Sequence, residues 1–317
     1  AVRDAPHHRR AAGKPPATRR QRRHPRCATP LPRRSSHPVT TNMPASNIPH
    51  INDGLPIDWA PQLIALDIDD TLTVHLGDMK PRVIEAIAGV RAKGIDVVLA
   101  TGRSFDTTTP VARDAGIDGH VVCSNGAILG DVAEDKIVEA ITFDATPVIA
   151  QLNELVPGAV FAVEDMHGVF YTTHMFSTGP LGLRIEEVTL EELTREPVVR
   201  LVMRSNRHTE EAFGAAAAQL GFHQVVYGVA DVAWMDVGPH DVSKASMLHE
   251  LCARKDIPAE RVVAIGDNWN DVSMLGWAGL GVAMGHAVPE IQAKADLITL
   301  DEPGDGVAAV LEAIAAT

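Results

Sequence analysis

The sequence predicts an α/β fold, a parallel β-sheet with helices on both faces, interrupted by an inserted α+β unit. Three observations predict it. Short β-rich runs alternate with amphipathic stretches from Leu63 to Cys123, the rhythm of a parallel sheet with crossover helices. That rhythm returns from Arg261 to the end of the chain, while residues 142–233 lose it and mix strands with helices. The length of 317 residues is about twice that of a typical domain, as two units require.

In chain order, residues 1–42 come first, with ten Arg, one Lys and a single acid, Asp4. They show no apolar periodicity and cannot bury enough surface to offset their ordering entropy. Four readings stay open for them: a basic disordered tail, sequence translated ahead of a start at Met43, an organellar transit peptide, or a nucleic-acid-binding arm. With a linker, this segment extends to residue 59. LIAL (63–66) then reads as a buried strand. Residues 81–93 place Val83, Ile84, Ile87 and Val90 on one helical stripe, closed by Gly94. IDVVLA (95–100), a helix over 106–115 and HVVC (120–123) follow. The insertion holds FAVED (161–165), GVFYTT (168–173), VVRLVMR (198–204) and VVYGVA (225–230), with helices near 146–156 and 209–220. The parallel pattern resumes with RVVAI (261–265), a helix over 271–278, LGVAM (280–284), a helix over 289–295, DLIT (296–299) and a last helix over 306–316.

Charge and cysteines narrow the partners. Of 28 basic and 41 acidic residues, eleven basic and one acidic lie in 1–42, which leaves 17 against 40 over the remainder. So acidic a body is a poor binder of phosphate backbones, and no nucleic-acid partner is expected for residues 60–317. Cys27, Cys123 and Cys252 form no CxxC pair, which argues against a disulfide framework or thiolate zinc site and fits a reducing, cytoplasmic location. No apolar run approaches the roughly 20 residues that a membrane span needs.

Four segments carry the chemistry. Asp67-Ile68-Asp69-Asp70-Thr71-Leu72 follows the first strand, and the period of two sets Asp67 and Asp69 on one side. Carboxylates that close repel unless a cation joins them, and Mg²⁺ favours such oxygen ligands while leaving room for phosphate. Thr101-Gly102-Arg103 ends the second strand and offers a hydroxyl and backbone N–H groups to a phosphoryl oxygen. Lys244 opens a helix after Gly238-Pro239-His240-Asp241, and Gly266-Asp267-Asn268-Trp269-Asn270-Asp271 follows RVVAI. Taken alone, these segments are better read in blander roles (a solvated acidic turn, a turn into a helix, an exposed lysine), and the last could be only a helix N-cap. Together, and in this order, they form a specific pattern.

That conjunction resembles the haloacid dehalogenase (HAD) superfamily, and within it the Cof-like phosphatases, whose α/β (type IIB) cap is inserted between the second and third motifs. The resemblance runs from about Gln62 to the C-terminus. Ser124-Asn125-Gly126-Ala127 after the third strand and Ala283-Met284-Gly285-His286-Ala287 support it, although His286 stands where Asn is common. It implies a Rossmann-like core over 60–141 and 234–317 with a cap over 142–233. It also implies Mg²⁺-dependent hydrolysis of small phosphorylated metabolites, sugar phosphates above all, through an aspartyl-phosphate.

By resemblance, Asp67 is the nucleophile and Asp69 the general acid and base. Thr101 and Lys244 hold the transferring group, and Gly102, Arg103, Asn125 and Asn270 complete the phosphate site. Asp67, the backbone carbonyl of Asp69, and Asp267 bind the metal, with Asn270 and Asp271 completing or orienting its shell. A phosphomutase using the same nucleophile and a non-catalytic phospholigand-binding protein are the alternatives. The sequence leaves the oligomeric state open.

Other residues draw plainer expectations. The histidines form no metal-binding pair with acidic partners, although His240 and His286 flank site loops within reach of substrate. Trp269 is expected to pack under the metal loop and Cys123 in the core. Arg103 fits a helix surface as well as a substrate anion. Glu164, Asp165, His167 and Arg204 are candidates for substrate specificity in the cap.

Overall fold

The structure, a computed structural model, describes residues 48–74, 77–175, 184–219, 223–229 and 232–317. The tail expected over 1–42 lies outside the described residues. In chain order the elements begin with β1 (Leu63–Leu66), α1 (Pro81–Ala92), β2 (Asp96–Ala100), α2 (Phe105–Asp114), β3 (His120–Cys123), β4 (Ile128–Asp131) and β5 (Lys136–Ala140). The insertion contributes α3 (Thr146–Leu155), β6 (Val160–Glu164), β7 (Phe170–Thr172), β8 (Ile185–Glu187), α4 (Leu190–Leu193), β9 (Arg200–Ser205), α5 (Glu210–Ala217), β10 (His223–Val229) and β11 (Val232–Gly238). The chain ends with α6 (Lys244–Arg254), β12 (Val262–Gly266), α7 (Val272–Trp277), β13 (Leu280–Ala283), α8 (Pro289–Gln292), β14 (Leu297–Ile298) and α9 (Asp305–Ala316).

The core sheet has the order β14-β13-β12-β1-β2-β3-β4-β5. Neighbours from β14 to β3 are parallel, and β3–β4 and β4–β5 are antiparallel. Strand β1 lies near the middle because both of its faces are apolar. The period of two sends Ile64 and Leu66 to one face, where Val83, Ile87 and Val90 of α1 and Val307, Leu311 and Ile314 of α9 cover them. Leu63 and Ala65 go to the other, against Leu248 and Leu251 of α6 and Met274 and Leu275 of α7. All four β1 side chains are fully buried, each large one contributing roughly 1.5–3 kcal/mol of transfer free energy. Such two-sided burial is what a continuous apolar run in a parallel sheet signals.

The inserted sheet has the order β10-β11-β9-β6-β7-β8, antiparallel except between β7 and β8. Its two faces differ. Phe161, Val163, Leu201, Met203, Met235 and Val237 pack under α3 and α5, while Ala162, Val202, Trp234 and Phe170 line the opposite face. Because β11 runs to Gly238 within this sheet, the boundary expected at 233–234 falls inside a strand, and the chain leaves the sheet only after Gly238. No helix among the described residues is long and apolar enough to cross a membrane.

Candidate active site

Four loops meet at the carboxyl ends of the parallel strands, where open α/β sheets hold their ligands. Asp67 continues β1, its N–H donating to the Ile265 carbonyl at 3.0 Å. Lys244 is the first residue of α6, behind a capping box in which Ser243 accepts from the Ser246 N–H. This start aims the ammonium inward, fully buried, where Nζ donates to Asp67 Oδ1 at 2.5 Å and to Asp271 Oδ1 at 2.6 Å. The other Asp271 oxygen accepts from the Asp267 and Asn268 N–H groups, each at 3.0 Å. Gly266 permits that approach, since a Cβ there would lie 2.5 Å from Asp271 Cγ. The Thr71 hydroxyl donates to Asp267 Oδ1 at 2.8 Å.

Asp67, Asp267 and Asp271 thus present carboxylate oxygens within 4.8 Å of one another, all buried. One ammonium does not neutralise three carboxylates. Burial first, and then Asp271, push the Asp67 carboxyl well above its usual range despite Lys244, and burial raises Asp271 as well. Burial alone would lower Lys244, but Asp271 and Asp67 outweigh it and hold the ammonium charged. Buried hard oxygen donors with surplus negative charge fit a divalent cation such as Mg²⁺.

Asp69 is expected to meet a metal through its backbone carbonyl rather than its side chain. Its carboxylate lies outside this trio and takes the fork of Arg103, with Nε to Oδ2 at 2.8 Å and Nη2 to Oδ1 at 2.5 Å. Arg103 therefore lies before α2 rather than on a helix surface, with its largely buried guanidinium against Asp69. The Thr101 hydroxyl accepts from the Arg103 N–H at 3.1 Å, which leaves its own proton for another acceptor. Asn270 was expected at the metal or the phosphate. Its amide nitrogen donates to Asn125 Oδ1 at 3.0 Å, joining two loops. Asn125 also lines Gly102, where a Cβ would lie 3.1 Å from Asn125 Oδ1.

Sequence reasoning named Ser124, Asn125 and Glu164 but missed Arg200 and Asp236, and with them the contacts that join these residues. Ser124 and Asn125 adopt φ of 49° and 54°, a conformation uncommon outside glycine. The Ser124 hydroxyl donates to Glu164 at 2.8 Å, and Arg200 joins Glu164, Asp236 and the Gly102 carbonyl. The available signal was Arg200 in the middle of an apolar strand. Of the other cap candidates, Glu164 reaches the core, Arg204 stacks 5.3 Å from the Trp234 ring, and Asp165 caps the turn at His167 and Val169.

The remaining expectations divide. His286 reaches the site, with Nε2 3.6 Å from Asp267 Oδ2, a contact that raises its pKa. His240 is exposed and pairs with Asp241. Trp269 is 54% exposed rather than packed under the loop. Cys123 is buried, and burial pushes its thiol up to about 12.

The chain is similar to known proteins named as phosphatases and hydrolases. The chain is 27% identical over 278 residues to pyridoxal phosphate phosphatase YbhA of Escherichia coli, a match covering 78% of this chain and 96% of that protein. It is 27% identical over 256 residues to a phosphoglycolate phosphatase of Archaeoglobus fulgidus, covering 80% and 97%. A haloacid dehalogenase-like hydrolase from Bacteroides thetaiotaomicron shares the fold with a TM-score of 0.64 at 25% identity, over 80% of this chain and 98% of that one. The subclass IIB sugar phosphatase BT4131 does so with a TM-score of 0.67 at 23% identity, over 79% and 98%. The profile of the haloacid dehalogenase-like hydrolases matches residues 64–311, and with the core of the fold and all four motif loops inside that span, the chain belongs to this family of hydrolases.

Proposed function

We propose that the protein is a Mg²⁺-dependent phosphatase that hydrolyses small phosphorylated metabolites, sugar phosphates foremost, through a phosphoryl group carried on Asp67. The observation that carries this reading is Lys244, fully buried and bridging Asp67 and Asp271 beside Asp267. Relatives named as phosphatases of pyridoxal phosphate and phosphoglycolate support the substrate class.

In the first step Asp67 attacks phosphorus, the ester P–O bond breaks, and Asp69 delivers a proton to the leaving oxygen. In the second, water attacks phosphorus, Asp69 takes its proton, and inorganic phosphate leaves with Asp67 restored. Arg103 occupies both oxygens of Asp69, so acid duty requires it to release one. An incoming phosphate dianion favours that release by offering the guanidinium a second acceptor. The Thr101 hydroxyl donates to a phosphoryl oxygen, and Lys244 holds Asp67 in place and offsets charge on the transferring group. Asp67, Asp267 and Asp271, with the Asp69 carbonyl, would hold Mg²⁺, which would supply charge neutralisation to the site.

Phosphate release from a panel of phosphometabolites, with Mg²⁺ or with EDTA, tests the proposal. We expect turnover that EDTA removes and that Asp67→Asn abolishes while the protein stays folded by circular dichroism. Parental rates in the purified Asp67→Asn variant would refute it.

A further inference from the structure

We propose that Arg200 and Glu164 of the inserted sheet are positioning residues for the reaction, fixing from outside the two loops that carry Thr101, Arg103 and Asn125. The proposal rests on the function proposed above.

A closed circuit of hydrogen bonds carries it. Arg200 Nη1 donates to the Gly102 carbonyl at 2.6 Å. The N–H of that same peptide unit, on Arg103, donates to the Thr101 hydroxyl at 3.1 Å. Both ends of the plane are therefore tied, and the Thr101 hydroxyl keeps its proton for another acceptor. The Arg103 carbonyl accepts from Ser124 N–H at 2.8 Å, and the Thr101 carbonyl from Asn125 N–H at 3.1 Å. Ser124 Oγ then donates to Glu164 Oε2 at 2.8 Å, which accepts from Arg200 Nε at 3.0 Å and closes the ring. Asp236 Oδ2 lies 3.2 Å from Arg200 Nη1, and the Phe170 ring 5.2 Å from the guanidinium carbon.

Stability alone is a weak reason for this circuit. Glu164 is fully buried and Arg200 is 5% exposed, and a buried ion pair is often no more stabilising than apolar side chains of similar size. Its geometric product is specific: the Gly102–Arg103 plane sets where the Arg103 side chain starts, and that side chain holds Asp69. The unusual φ of Ser124 and Asn125 is held by the same bonds, in keeping with strain that persists only where its surroundings over-determine it.

The test compares kcat/KM for two substrates in excess Mg²⁺: p-nitrophenyl phosphate, whose aryloxide leaves without a proton, and glycerol phosphate, whose alkoxide needs one. Arg200→Met is expected to lower kcat/KM for glycerol phosphate by about 10–100-fold, the usual scale for a lost supporting partner, and to lower it distinctly less for p-nitrophenyl phosphate. Arg200→Lys keeps the charge but not the fork and should shift the ratio in the same direction by less. It also serves if Arg200→Met does not fold. Equal losses on both substrates, or no loss, in a variant shown folded by thermal unfolding overturn the proposal. Asp69→Asn, measured in parallel, separates the two levels. If Asp69→Asn lacks the leaving-group-selective loss, the assignment of the acid fails. If it shows the loss and the folded Arg200 variants do not, the positioning role fails.

Discussion

Without the ammonium of Lys244, Asp67 and Asp271 would face each other in a buried site already crowded by Asp267. Removing one partner of a buried pair leaves an uncompensated charge, which costs about 3–5 kcal/mol. Lys244→Met should therefore lose stability on that scale in urea denaturation with EDTA, and recover part of it when Mg²⁺, which binds only the folded site, is added. Asp67→Asn should behave oppositely. Burial and Asp271 already disfavour its ionised form, so removing the charge should leave the metal-free melting temperature at or above the parent's. The residues legible at this scale were those that the four motifs carry together: the aspartates, Thr101 and Lys244. Their partners were harder to read. That Asp69 faces Arg103 while Asp271 faces Lys244 depends on where side chains turn after leaving the sheet, and spacing along the chain does not encode that.

At the scale of elements, the turn at 124–126 and the start of α6 are in close contact. Gly126 has φ of 100°, and a Cβ there would lie 2.1 Å from the Ser243 carbonyl and 3.0 Å from Lys244 N. Gly126→Ala should cost more than about 1 kcal/mol through backbone strain. It should also lower kcat, since the displaced residues begin the helix that carries Lys244. Denaturant melts and steady-state rates check both effects.

A second pair of elements, α1 and α9, is tied by Arg82 to Glu312 and Asp305 and by Lys80 to Asp305. Hydrogen bonds from Lys80 and Arg82 hold Asp305 and Glu312 below their usual values. Depressed carboxyls contribute stability above their unfolded pKa, near 4, and lose it as pH falls. These side chains are about one-third to one-half exposed, so Arg82→Ala should cost at most about 1 kcal/mol at pH 7. That difference from the parent should close below about pH 4 in paired denaturation curves. Strands with continuous apolar runs, such as β1 and β12, were legible because both faces are buried. The β4–β5 hairpin and β11 were not. Lys136 and Glu139 make β5 read as a polar loop, and Ala233, Asp236 and Gly238 weaken the β signal of β11.

Across the whole molecule, the order of the four motifs was the most informative feature of the sequence, because a doubly wound sheet gathers strand ends regardless of what is inserted between them. The inserted sheet was visible as a loss of rhythm, yet its fastening to the core through Glu164 and Arg200 was not, since a contact between two sheets leaves no periodic trace. The separation of 177 residues between Asp67 and Lys244 has a further consequence for how the chain is made. The ribosome delivers β1 to β3 long before α6, so the first half of the core emerges with Asp67 in place while Lys244, Asp267 and Asp271 are still unsynthesised. The insertion, whose contacts are mostly its own, can settle during that interval, whereas closing so long a loop is a late and slow event. The site is therefore completed near the end of translation, and a prematurely released chain carries Asp67 without the buried partners that surround it.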